Sequence, residues 1–403
     1  MRRSASEFHG RTTEAAHFFL NNKLESNAIT KQDYDLILKF LSYKLSFDDI
    51  KDTRYYKLAQ HLVWWRRYLP EFTGCTLDDI IAGVGLLKKA RTTKGDPFSN
   101  NVVRDYISVL KMFFSWMEKN SLTDIRSSDV REIKLPIRKN KKEIVIFKNG
   151  DIEKFISASK RVRDKAMIGL LYEGGFRIGE IGTMVWGQIL FDEWGIVVKE
   201  DFKTGKKRTL RLATCKQDLI YWRNEYKKFG EPYGDSPIFL NEKKEPYNYR
   251  ALIKHLKRLS IRAKIYTRFT PHSFRHTRIT DLKREGISDS VIGLMMWGDA
   301  AAPELGTYNQ MNFDDVNNTM LQHYGISSPA VQHEKILPKQ CPKCHEINPP
   351  RFSFCGLCGE PLDQKAIDSL EAAKTNLSND EELQYEKFKK WHLRMKQEGI
   401  SLQ

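Results

Sequence analysis

The sequence lacks the long hydrophobic runs that are typical of membrane proteins. It has no stretch of about 18 apolar residues, so we expect no transmembrane helix. The basic N-terminus, MRRSASEFHG, is not followed by an apolar segment, and we expect no secretory signal peptide. The 403 residues are too many for one compact core, which predicts two or three domains.

Acidic residues are also scarce relative to basic ones. The chain has 51 Asp and Glu residues against 67 Lys and Arg residues, which gives a formal net charge of +16. This surplus favours a polyanionic partner through phosphate neutralisation, although a merely soluble basic protein would have the same composition. We find no Walker loop and no convincing acidic metal cluster, so ATP-driven or carboxylate–metal chemistry is not expected.

Cysteines are few, and their spacing argues against a disulfide framework. Four of the six form two CxxC pairs, Cys341/Cys344 and Cys355/Cys358. Four thiolates in two such knuckles are typical of a structural Zn²⁺ ribbon in a reducing compartment, here at residues 338–365. The segment CPKCHEINPPRFSFCGLCGEPL also resembles zinc ribbons of many prokaryotic, notably archaeal, proteins. DNA binding, protein docking and fold stabilisation remain open as its role.

The N-terminal part of the chain reads as a run of helices. Apolar residues recur at helical spacing within residues 11–134, and Thr30 and Thr76, each with an aspartate three positions on, predict two helix starts. Residues 135–145, LPIRKNKKEIV, are basic and are interpreted as a linker.

A second domain is expected at residues 146–326. Helical patterns dominate it, but Ile196–Lys199 and Arg208–Leu212 are strand-like and are joined by the turn Lys203–Lys206. The last segment, 366–403, is highly charged and is interpreted as a C-terminal helix or tail.

Three short segments of this domain carry residues suited to phosphoryl chemistry. In GGFRIGE, a glycine pair can end one helix and place Arg177 at the start of the next, with Glu180 one turn on, although a surface Arg–Glu pair would look the same. PHSFRH puts His272 and Arg275 on one helix face. This arrangement suits the binding of a phosphate, although a capped helix with a packed histidine would have the same sequence. GTYNQ contains Tyr308, whose role depends on the residues around it.

Taken together, these segments resemble the tyrosine recombinase, or phage integrase, family. The family pattern is an Arg in a G-x-R-x-x-E context, a hairpin Lys, an H-x-x-R, a His or Trp, and a terminal Tyr. This sequence has GFRIGE, KTGKKR, HSFR, MMWG and GTYNQ in that order. The resemblance implies a mainly α multidomain protein with a helical core-binding (SAM-like) domain. An α+β catalytic domain with a small antiparallel sheet follows it.

The resemblance also implies roles for the matched residues. Arg177 and Arg275 would clamp the scissile phosphate, and His272 would be the general base or a phosphate ligand. Tyr308 would be the nucleophile, with Tyr324 as a rival tyrosine.

Three further positions take roles in the same way. Lys203 would protonate the leaving 5′ oxygen, with Lys206 and Lys207 as rivals because hairpin turns can move. Trp297 falls where the family has His or Trp, and Glu180 would support Arg177.

As a whole, the resemblance implies an enzyme that cuts and rejoins double-stranded DNA. It would form a 3′-phosphotyrosine and a Holliday junction as a homo-tetramer on two duplexes, without ATP or a catalytic metal. It would work in the prokaryotic cytoplasm, at the nucleoid, with no membrane partner. A type IB topoisomerase, or a DNA-binding module that has lost catalysis, is the alternative interpretation.

Overall fold

The computed structural model describes residues 3–137, 145–201, 207–308, 320–321, 324, 337–375, 384–387 and 389–390, with the side chains at 200–201, 207, 307–308 and 374–375 left out. The chain divides into two compact units, Arg3–Glu143 and Ile144–Gln403. None of the helices in the described ranges is long and apolar enough to cross a bilayer.

The first unit is built from helices. They are α1 (Ala5–His9), α2 (Thr13–Glu25), α3 (Lys31–Asp48), α4 (Asp52–Trp65), α5 (Leu77–Lys89), α6 (Asn100–Lys119) and α7 (Ser127–Glu132). The predicted starts of α3 and α5 are confirmed, because the hydroxyls of Thr30 and Thr76 accept from the N–H three residues on, at 3.2 Å in both cases. In each cap the aspartate at that position accepts from the threonine N–H in return, which satisfies a second helix-end donor.

The apolar faces of these helices share one buried core rich in aromatic rings. The Phe113 ring lies 5.1 Å from that of Phe40 on α3 and 4.9 Å from that of Phe72, both edge-on. Edge-on aromatic pairs add to the stabilisation that burial alone provides. The core therefore joins α3 and α6 to the turn that follows α4.

A buried ion pair also joins these elements, and the sequence pattern did not reveal it. Asp33, only 1% exposed, accepts from the Phe72 N–H at 3.1 Å and pairs with the Arg66 guanidinium. Arg66 also donates to the Leu69 carbonyl. Asp33 thus caps α3 and connects it to the chain that follows α4. Because the carboxylate is buried, its charge would be costly to leave unpaired.

We predict that Asp33→Asn, which can still cap a helix, destabilises the first unit by about 3 kcal/mol because Arg66 loses its buried partner. Urea unfolding of the full chain measures the change. Asp35→Asn is the control, since its exposed pair with Lys31 should contribute less than about 0.5 kcal/mol. Equal unfolding midpoints for the two variants would contradict the prediction.

The second unit combines helices with two small sheets. Its helices are α8 (Asp151–Ala158), α9 (Val162–Glu173), α10 (Ile178–Thr183), α11 (Lys216–Tyr226), α12 (Tyr249–Arg262), α13 (His272–Arg284), α14 (Asp289–Trp297) and α15 (Gln364–Thr375). Its strands are β1 (Ile189–Asp192), β2 (Gly195–Asp201), β3 (Lys207–Leu212), β4 (Lys339–Gln340) and β5 (Ile347–Asn348).

The larger sheet is antiparallel in the order β1-β2-β3. Its central strand places Val198 opposite both Ile189 and Leu210, and all three side chains are buried. The two predicted strands are confirmed, with β2 longer than expected. β1 was not predicted, because only its first residue, Ile189, is buried and it shows no alternation of apolar and polar residues.

Helix α9 lies at the centre of this unit, and most of its residues are buried. At its end, the Glu173 carboxylate accepts from the N–H groups of Ala213, Thr214 and Cys215 at 2.6, 2.9 and 3.0 Å. Those donors precede α11, so Glu173 joins the end of one helix to the start of another.

The strands β4 and β5 belong to the cysteine-rich segment, which packs against α11. Glu346 lies 2.8 Å from Lys216 Nζ and accepts from Gln217 Nε2 at 2.7 Å. Arg351 pairs with Asp218, whose side chain is 3% exposed. These contacts therefore fix the orientation of the segment relative to α11 within the second unit.

Candidate functional site

The loop between α9 and α10 has a shape that requires glycine. Gly175 has φ +55°, in the left-handed region that side chains disfavour. A Cβ atom at this position would lie 2.7 Å from the Met296 sulfur. The glycine pair therefore ends α9 and lets α10 begin at Ile178, as the sequence predicted.

Arg177 lies just before α10 and is held by Glu180. Its Nη1 donates to Glu180 Oε1 at 2.9 Å, and its main-chain N–H donates to Glu180 Oε2 at 2.8 Å. The Arg177 side chain remains 36% exposed, so its guanidinium is accessible to a ligand from solvent.

Arg275 is buried on α13, with 2% of its surface exposed. Its Nη1 donates to the Gly175 carbonyl and its Nη2 to the Met296 carbonyl, both at 2.8 Å. The guanidinium also lies 4.6 Å from the centre of the Trp297 ring, a cation–π contact. The structure thus brings Arg275 and Trp297 together beside the glycine loop that leads to Arg177.

Two histidines extend this cluster along α13. The His272 side chain is exposed to solvent in part of its surface. Its pKa is lowered, first by desolvation from neighbouring atoms and then by the charges of Arg275 and Arg177. Desolvation, followed by the effects of His272 and Arg275, lowers the pKa of His276 to about 4. Both imidazoles therefore favour the neutral form near neutral pH, which can accept a proton.

Arg208 is a member of the cluster that the sequence analysis missed. It lies on β3, and its Nη2 donates to Glu180 Oε2 at 2.7 Å. Its Nη1 donates to the carbonyls of Met295 and Met296 at 2.8 and 3.1 Å. The sequence did contain a signal for this residue. Side chains alternate along a strand, so Arg208 shares a face with Leu210 and Leu212, and a charge on such a buried face needs partners.

The approach to Tyr308 is a 3₁₀ helix, Pro303–Tyr308, after α14. Leu305 is buried in a cluster with Met296 and Trp297, which anchors this helix on α14. The main chain of Tyr308 is described, but its side chain is not.

The remaining predicted residues fall mostly outside the described part of the chain. Lys203 and its rival Lys206 lie outside it, and only the main chain of the other rival, Lys207, is described. The rival tyrosine, Tyr324, is 64% exposed.

The chemistry of this arrangement follows from its charges. Arg177 and Arg275 bring two guanidinium groups beside a neutral imidazole, and a guanidinium fork matches the oxygens of a phosphate. Such a site can hold a phosphodiester and exchange a proton with it.

The four paired cysteines converge at a separate place. Their sulfur atoms all lie within 4.8 Å of one another. The sulfurs of Cys341 and Cys358 are 3.5 Å apart, and those of Cys344 and Cys355 are 3.6 Å apart. Sulfurs about 2.3 Å from a tetrahedral metal ion would be about 3.8 Å apart, so this group of residues could bind one metal ion.

Known structures share the fold at low sequence identity. The XerH site-specific recombinase bound to its palindromic difH substrate has a TM-score of 0.55 and 16% identity, over 78% of this chain and 91% of that chain. The lambda integrase bound to DNA has a TM-score of 0.54 and 16% identity, over 70% of this chain and 98% of that chain.

Relatives in sequence carry similar descriptions. Transposase A from transposon Tn554 of Staphylococcus aureus is 27% identical over 198 residues, which are 46% of this chain and only 54% of the transposase. The tyrosine recombinase XerA of Saccharolobus solfataricus is 25% identical over 250 residues, which are 60% of this chain and 76% of that protein.

The family comparison covers the site itself. The phage integrase family matches residues 146–312, a range that holds Arg177, Arg208, His272, Arg275 and Tyr308. Residues 146–312 are therefore similar to the phage integrase family of tyrosine recombinases.

Proposed function

We propose that the protein is a site-specific DNA recombinase that breaks and rejoins strands through a covalent bond to Tyr308. The observation that carries the proposal is the pair Arg177 and Arg275, held beside His272 in a domain of this family. The buried arginine is fixed by carbonyl oxygens, while the accessible one keeps a surface for the phosphate. The net charge of +16 supports a DNA partner, since phosphate contacts dominate such binding.

In the proposed reaction, the Tyr308 oxygen attacks phosphorus and the bond to the 5′ oxygen breaks. The two arginines stabilise the charge that develops on the non-bridging oxygens. Neutral His272 can take the phenol proton, directly or through the phosphate, and Lys203 donates a proton to the departing 5′ oxygen. The ester energy is kept in the 3′-phosphotyrosine, so the free 5′-OH of a second strand can reverse the step without ATP.

Two strand exchanges on two duplexes would proceed through a Holliday junction. That geometry needs two pairs of active sites, so we propose a homo-tetramer on DNA in the reaction. Trp297 would hold Arg275 in place, and Glu180 would do the same for Arg177, through the contacts described above.

We also propose that Cys341, Cys344, Cys355 and Cys358 hold a structural Zn²⁺. The sulfur separations support this, and so does Asn348, which is fully buried and whose Nδ2 lies 3.6 Å from the Cys355 sulfur. Donors to a thiolate stabilise its charge next to a metal. A site closed by four protein ligands would stabilise the fold and leave the DNA chemistry to the other site.

Tyr308→Phe should abolish covalent protein–DNA adducts while DNA binding persists, because only the attacking oxygen is removed. The wild type and the variant are incubated with nicked duplexes of random sequence, and adducts are identified by denaturing gels and peptide mass spectrometry. Tyr324→Phe is the matched control and should form adducts at the wild-type level.

An adduct that persists in Tyr308→Phe but is lost in Tyr324→Phe would contradict the assignment of the nucleophile. Transfer of the bound strand to a second, labelled duplex distinguishes a recombinase from a topoisomerase, which would only relax supercoiled DNA. DNA binding without any adduct in the wild type would favour a non-catalytic binding module.

Purified protein should contain one zinc ion per chain, and Cys341→Ser should lose it because a tetrahedral site needs all four sulfurs. Metal analysis by mass spectrometry gives the ratio. Hydrogen exchange in residues 339–362 should rise in this variant or after treatment with a chelator. Cys75→Ser, a buried cysteine of the first unit, should retain the zinc; a wild type without metal would contradict the prediction.

A further inference from the structure

We propose that Arg208 is a positioning residue that fixes Arg177 and Arg275 relative to each other. The inference rests on the proposed function, because it gives a role to a residue in the same site. Its basis is a set of contacts that places Arg208 between the two arginines.

One side of the Arg208 guanidinium reaches Arg177 through a carboxylate. Arg208 Nη2 donates to Glu180 Oε2 at 2.7 Å, and Arg177 Nη1 donates to the other oxygen of that carboxylate at 2.9 Å. The carboxylate is therefore held from two directions. Without Arg208, the Glu180 carboxylate would lose its hydrogen bond to strand β3.

The other side reaches Arg275 through a main-chain carbonyl. The Met296 carbonyl accepts from Arg208 Nη1 at 3.1 Å and from Arg275 Nη2 at 2.8 Å. Arg208 also donates to the Met295 carbonyl at 2.8 Å. Because both carbonyls lie at the end of α14, Arg208 fixes the helix end that holds Arg275.

Burial separates this role from DNA binding. The Arg208 side chain is 0% exposed, and its guanidinium lies 4.8 Å from the centre of the Phe176 ring, within the loop that leads to Arg177. A side chain so enclosed acts on the reaction through Glu180 and Met296. Arg211, on the same strand, differs in this respect: its side chain is 49% exposed and pairs with Asp192.

The planar fork of Arg208 is essential to the proposal. It uses Nη1 for two carbonyls and Nη2 for a carboxylate, in directions that a lysine ammonium with one nitrogen cannot reproduce together. Arg208→Lys therefore keeps the charge and removes the bridge between the two arginines.

The test compares Arg208→Lys with the matched control Arg211→Lys in the full chain. Single-turnover formation of the covalent adduct on nicked duplexes should slow on the order of 100-fold for Arg208→Lys, the penalty of a site displaced by about 1 Å. Affinity for the same duplexes should stay near the wild-type value, since Arg208 does not reach the surface. Arg211→Lys should change neither quantity.

A purely structural role predicts a different pattern, in which affinity and rate fall together with the melting temperature. A double variant sharpens the distinction. If Arg208 acts through Glu180, the rate losses of Arg208→Lys and Glu180→Gln should be less than additive when combined. Fully additive losses, or a wild-type rate in Arg208→Lys, would overturn the proposal.

Hydrogen exchange provides a measurement that does not depend on activity. In Arg208→Lys, amides of residues 178–183 and 294–297 should exchange faster, while those of α12 stay unchanged. If Arg208→Lys fails to fold, Glu180→Gln alone takes its place, and unchanged exchange at 294–297 and 207–212 would overturn the proposal. A wild type that forms no adduct defeats the proposed function instead, and the exchange results still decide whether Arg208 holds these segments.

Discussion

The candidate site depends on holding three guanidinium groups close together. Positive charges at this distance repel, and two of them, on Arg208 and Arg275, are buried where water cannot screen them. Glu180 offsets part of the charge, and carbonyl oxygens of the main chain accept many of the remaining N–H groups. Much of the local architecture follows from supplying those acceptors: a helix that ends at Glu173, a left-handed Gly175 and the end of α14.

Arg177 contributes to this positive charge, and its side chain is 36% exposed and accessible to a ligand. An anion such as a phosphodiester would meet donors that the acceptors already hold in position. Desolvation, and then the neighbouring positive charges, lower the pKa of His272 and of His276, which favours neutral imidazoles beside the arginines. The cluster therefore combines positive charge, a proton acceptor and fixed geometry.

Whether the sequence predicts an interaction depends on how far apart its two residues lie along the chain. The caps at Thr30 and Thr76 involve residues three positions apart, and the contact of Glu180 with Arg177 has the same spacing, so local patterns predicted them. The two strands also followed from alternation. The resemblance to a family correctly indicated the fold class, and the family match over residues 146–312 agrees with it.

The interactions that the sequence did not reveal join distant segments. Arg208 meets Met295 and Met296 only because β3 packs on α14, and Asp33 meets Arg66 and the Phe72 N–H only because α3 packs near the turn after α4. The contact of Glu346 with Lys216 is of the same kind, since 130 positions separate them (346 − 216). A pattern read over a few residues carries no information about such partners. The roles of the site residues, Lys203 and Tyr308 among them, stay predictions.

The use of main-chain acceptors has a consequence for how this site can diverge. A carboxylate that holds an arginine disappears when its residue mutates, but the carbonyl oxygens of Gly175 and Met296 remain whatever side chain those positions carry. The constraint on such positions is therefore steric: Gly175 needs its backbone conformation and the room beside the Met296 sulfur. Much of the surrounding sequence can drift while the guanidinium of Arg275 keeps its orientation, and a fold built this way tolerates extensive substitution around a fixed charge.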